Sequence, residues 1–91
     1  PRGKLLRLPR MLAGTIVAYN PRTGRAAAQV DKLYTVFEVL DDWEPKIGSK
    51  VYGDDLLGRW EGTLKTESSG NARVSVLEIN CTTPRVRVLL G

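Results

Sequence analysis

The chain has no histidine, a single cysteine and no apolar run near membrane length, and each shortage removes a class of function. Without histidine, the usual partner for activating a serine or cysteine nucleophile is missing, and so is the commonest zinc or haem ligand. One cysteine, Cys81, makes no internal disulfide and is expected to be a small part of the fold. A membrane helix needs about 20 consecutive apolar residues, and the amino-terminal stretch lacks the apolar core of a secretory signal. The expectation is a soluble, cytoplasmic protein that requires no cofactor or metal, and not an enzyme.

Basic charge is also scarcer than it looks. The net charge is +4, but four of the 14 basic residues, Arg2, Lys4, Arg7 and Arg10, lie in the first ten positions. The rest of the chain therefore balances ten basic against ten acidic groups. Residues 1–12 read as a basic arm with leucines, interrupted at Pro9, and residues 13–91 as a single domain. Met11 is the only methionine, and one reading starts the natural chain there. A basic arm can bind phosphates, although it is more often a solvated tail.

From Ala13 the pattern is short strands separated by turn chemistry. Residues 14–19 are rich in β-branched and aromatic side chains. Asn20-Pro21-Arg22-Thr23-Gly24 is a hairpin turn, with proline presetting one dihedral and glycine available for a positive φ at the exit. Residues 25–30 return as a second strand, whose alanines leave little bulk, so either something large packs over them or that face stays shallow. Residues 33–40 are apolar on both faces, as expected of a strand covered on two sides. Further strands are expected at 50–53, 60–67 and 72–80, the last two joined by Ser68-Ser69-Gly70-Asn71. After Thr82-Thr83-Pro84, the Arg-Val alternation of 85–90 predicts a half-exposed strand with Val86, Val88 and Leu90 inward and Arg85 and Arg87 together outside. Strands at this spacing imply an all-β fold, a small OB-like or SH3-like partly open barrel of five to six antiparallel strands.

Residues 14–24, Gly14-Thr15-Ile16-Val17-Ala18-Tyr19-Asn20-Pro21-Arg22-Thr23-Gly24, resemble the first strand and turn of cold-shock domains. Val36-Phe37-Glu38-Val39 stands where that family's second RNA-contact strand would be, so the similarity spans residues 13–40. It implies an OB-type barrel that binds single-stranded nucleic acid by stacking bases on aromatic rings, each worth about 1–3 kcal/mol. This sequence departs from the family at the platform itself. Ala18, Arg25 and Ala27 stand where aromatics are expected, Phe37 persists, and Tyr19 occupies a neighbouring position.

Among candidate sites, the acids Asp41, Asp42 and Glu44 share one loop and Asp54 and Asp55 another. Without the alternating acids and central glycine of a calcium loop, solvation of turns is the simpler reading. Gly53, Gly58 and Gly62 are too scattered for a phosphate loop. Trp43 and Trp60 are candidate contact residues for a protein partner; at least one is expected to anchor the core, and Trp43, flanked by acids, is the one expected at the surface. Tyr19, Arg25, Phe37, Arg73, Arg85 and Arg87 are the candidates for nucleic acid. The arginines on the last strand read equally well as charges that keep an edge from aggregating. Two functions remain: a non-enzymatic interaction module working by protein contacts or self-association, and, as the alternative, a single-stranded nucleic-acid binder.

Overall fold

The computed structural model describes residues 13–53, 61–67 and 70–91. Six strands follow in chain order: β1 (Ala13–Asn20), β2 (Arg25–Val30), β3 (Leu33–Val39), β4 (Lys50–Tyr52), β5 (Glu61–Thr66) and β6 (Gly70–Cys81). They form a closed barrel in the order β1-β2-β3-β6-β5-β4, every neighbouring pair antiparallel. The small all-β barrel is therefore the fold, with six strands, and the ring is closed where a partly open one was expected.

The turns behave as their residues require. Gly24 takes φ 76, and both its N–H and that of Thr23 donate to the carbonyl of Asn20, at 2.8 and 3.2 Å. At the β2–β3 hairpin, Val30 pairs with Leu33, leaving a two-residue loop in which Asp31 adopts φ 63. Aspartate tolerates that left-handed conformation better than a branched residue would. The connection from β3 to β4 comes back alongside β1: Ile16 N–H donates to Ser49 O at 2.9 Å and Gly48 N–H to Ile16 O at 2.7 Å.

Strand alternation sorts the apolar residues into two clusters. Ile16, Ala26, Ala28, Phe37, Val51, Leu64, Val74 and Val76 fill the barrel interior, with Tyr19 and Trp43 among the half-buried residues packed against them. Ala27, Val36, Cys81 and Val86 form a second cluster on the outside of the wall, joined by Ala18, Tyr34, Leu77, Leu89 and others. β3 is covered on both sides as its composition required, with Thr35, Val36 and Phe37 all buried.

Residues 85–90 are the clear correction. They belong to a helix, α1 (Thr83–Leu90), not to a strand. The Arg-Val alternation has a period of two, but Val86, Leu89 and Leu90 stand at i, i+3 and i+4, which is one face of a helix. Those three residues meet the outer wall, whereas Val88 is 67% exposed. The boundary signals agree: Thr82 is an extended N-cap, a proline occupies the first turn, and Gly91 caps the C-terminus. Arg85 and Arg87, two positions apart, point to different sides of this helix rather than forming a row. Ala27, fully buried, shares the outer cluster with Val86, so of the two possibilities for the alanine-rich strand a cover is the one realised at this position.

Candidate functional site

A structured, exposed feature lies where β3 ends. Leu40 N–H donates to Arg73 O at 2.9 Å, carrying the ladder one residue past the strand. Asp41 then bends the chain. Its Oδ1 accepts the N–H of Trp43 at 3.1 Å, and its Oδ2 accepts the N–H of Arg73 at 2.8 Å. One carboxylate thus shapes the loop and ties it to β6. The Arg73 N–H is the main cause that holds the Asp41 carboxyl below its ordinary pKa; desolvation opposes it, and the Trp43 N–H and the Arg73 charge add to the lowering.

The turn at Asp41 returns Trp43 over the barrel. Its ring stacks on Phe37 with centroids 6.4 Å apart and planes 12° from parallel. Phe37 is fully buried, whereas Trp43 is half-buried, with one side on the interior cluster. Trp43, expected at the surface, is thus partly withdrawn against the interior cluster. Asp42 and Glu44 are exposed on either side of it. One depression is lined by Asp41, Asp42, Trp43 and Asn71 and a second by Leu40, Gly62, Thr63, Arg73 and Val74, and the Asp41–Arg73 bond links a residue of the first to a residue of the second. Leu40 is 37% exposed at this edge.

The other sequence candidates do not converge. Phe37, proposed as a stacking platform, has no exposed surface because β3 directs it into the barrel. Tyr19 is half-buried against the same interior cluster. Ala18 and Ala27 lie in the cluster under α1. Arg25 donates from Nη1 to Leu89 O at 2.9 Å, at the end of α1. Arg85 makes a fork to Glu78, with Nη2 to Oε1 at 2.8 Å and Nε to Oε2 at 3.2 Å. This pairing lowers the Glu78 pKa and raises that of Arg85. Arg73 and Arg87 are exposed, on β6 and α1 respectively. Trp60, Asp54, Asp55 and the arm of residues 1–12 lie outside the described residues.

Cys81 is buried in the outer cluster, and burial pushes its thiol pKa up, aided by the nearby Glu78 carboxylate. A protonated, covered thiol is a poor nucleophile. Among the described residues no group of three or more His, Cys, Asp or Glu side chains is placed to hold a metal ion. Nor is any described helix long and apolar enough to cross a membrane.

Sequence reasoning missed what the β1–β2 turn does. Asn20 Nδ2 donates to Leu90 O at 2.9 Å and to Gly91 O at 3.3 Å, and Thr23 Oγ1 donates to Leu90 O at 3.3 Å. Read locally, Asn-Pro-x-Thr-Gly is complete as a hairpin, so nothing signalled a second task. In comparisons with known proteins, no family model matches the chain, and no curated protein or solved structure matches it.

Proposed function

We propose that the chain is a non-enzymatic interaction module that contacts another protein, or a second copy of itself, through the rim around Trp43. The carrying observation is the half-buried Trp43, held by the Asp41 loop and stacked on Phe37, with the exposed carboxylates of Asp42 and Glu44 beside it. A half-buried aromatic held in place, with adjacent apolar and charged groups, is the composition of an interface anchor, because little side-chain entropy remains to be lost on binding. Leu40 adds an apolar residue, and Arg73, whose N–H bonds Asp41, adds a cation.

The strand order supports the OB-like rather than the SH3-like form of the barrel. The first three strands form a meander, and β4 then returns to pair with β1 while β6 closes on β3. The nucleic-acid alternative has thinner support: Phe37 is buried, Tyr19 is half-buried against the interior, and Arg25 and Arg85 are engaged in fixed contacts, which leaves Arg73 and Arg87 exposed on separate elements. It would rest mainly on the basic residues 2–10.

The test combines sedimentation of the full chain over a wide concentration range with photo-crosslinking from position 42, using position 88 on α1 as control. Leu40→Ser is expected to abolish association and crosslinking from position 42, and the pair Asp42→Lys with Glu44→Lys to abolish association by sedimentation, while the circular dichroism spectrum stays unchanged. Contacts made equally from position 88, or retained in both rim variants, would remove the reading.

A further inference from the structure

We propose that α1 is a detachable cover: it leaves the barrel wall as a unit while the barrel stays closed, baring an apolar stripe formed by Ala18, Ala27, Val36, Leu77 and Cys81. The separation of the two clusters is the first reason. Among the described residues, α1 contributes nothing to the interior cluster, so its departure removes no side chain from the barrel core. All the strand pairs that close the ring are independent of α1 as well.

The second reason is how weakly α1 is built. It has eight residues, too few for a helix to persist alone in water. Its N-cap Thr82 makes no side-chain capping bond, and no acid occupies the first turn to complement the dipole. Val86 is its only buried residue, with Leu89 and Leu90 half-buried. What remains is a clasp at the C-terminus, made by Asn20, Thr23 and Arg25 from the β1–β2 turn, and the exposed Arg85–Glu78 pair. Elements with few buried contacts open first, at free energies below that of global unfolding. The stripe beneath is apolar and shaped by small residues for a helix, so the open state presents a surface that the closed state hides.

Cys81 makes the opening measurable, because it is the chain's one cysteine and is 1% exposed beneath α1. The experiment follows reaction of the full chain with an aromatic disulfide reagent, across low denaturant concentrations, alongside hydrogen exchange of the β2 and β3 amides. The thiol is expected to react through an opening with almost no denaturant dependence, faster than the barrel amides exchange. Arg25→Ala and Asn20→Ala should each speed labelling by roughly tenfold, since each removes a bond present only in the closed state. The β2 and β3 amides should remain protected in both variants. Labelling that shows the full denaturant slope of global unfolding, or that is unchanged in both clasp variants, would overturn the proposal. A variant whose barrel amides lose protection together with the thiol would do so too, by showing a single cooperative unit.

Discussion

Arg25 Nη1 donates to the carbonyl oxygen of Leu89 at 2.9 Å, joining positions separated by 64 residues. The guanidinium begins β2 and ends α1 in one contact. The last carbonyls of a helix have no partner within it, and a cation near them also opposes the negative end of the dipole. Arg25→Ala is expected to lower the unfolding free energy by about 1–2 kcal/mol, the worth of a charge-assisted bond that is only part-buried. Arg22→Ala, in the same turn but exposed, should stay within about 0.5 kcal/mol of the parent. Urea denaturation of both variants checks this. Equal effects would mean that the contact contributes nothing specific.

Ala27 is where the wall and the helix press together. It is fully buried in the outer cluster with Val86, and its barrel neighbours across the ladder are Ala18 and Val36. Ala27→Leu is expected to cost about 1–3 kcal/mol by overpacking. The damage should be localised: near-ultraviolet signals from Trp43 and its stacking partner should persist while α1 loses helicity. Thermal melts with far- and near-ultraviolet circular dichroism separate the two.

Acid should weaken the Asp41 loop. The folded-state pKa of Asp41 is below its ordinary value of 3.8, so the unfolded chain binds the proton more readily. Stability from this group is then fully present above that ordinary value and is lost as pH falls through the lower folded one. Asp41→Asn should be less stable than the parent at neutral pH and show a flatter acid limb, because Trp43 and Arg73 donate to different oxygens and the amide replaces one of them with an NH2 donor. Glu78 has the same sign through Arg85, but that pair is exposed and should fade in high salt, whereas the Asp41 backbone bonds should not. Urea titrations between neutral and strongly acidic pH, at low and high salt, distinguish the two carboxylates.

Binding of single-stranded DNA or RNA, where present, should come from residues 2–10. Each phosphate neutralised contributes about 0.7 to the slope of log affinity against log salt. Deleting residues 1–10 should therefore remove nearly all affinity and flatten the salt dependence together. Titration of labelled strands at two salt concentrations against the full and shortened chains checks this. Strong, salt-insensitive binding by the shortened chain would show a stacking surface on the barrel and displace the protein-contact reading.

The sequence by itself determined the parts whose physics is local. The turn at Asn20 to Gly24 declares itself through proline and glycine, β2 and β3 through their composition, and the hairpins through their loop chemistry, so the strand order along the chain and the all-β class were legible. It also showed that the alanines of β2 leave little bulk, so that a face of that strand needed a large cover or stayed shallow; at Ala27 the folded chain supplies a cover. Tertiary structure decided what that cover was. For residues 85–90 the period-two reading and the helical reading compete, and the choice depends on an outer wall of small residues that only the folded barrel presents to Val86, Leu89 and Leu90. The same holds at the candidate site. Asp42, Trp43 and Glu44 are visible as an acid-flanked aromatic, but the Asp41 bond to Arg73 spans 32 positions, and the stacking of Trp43 on Phe37 exists only once β3 has turned Phe37 inward. Contacts between distant segments leave no periodic trace in a single sequence, because neither partner's local pattern changes when the bond forms.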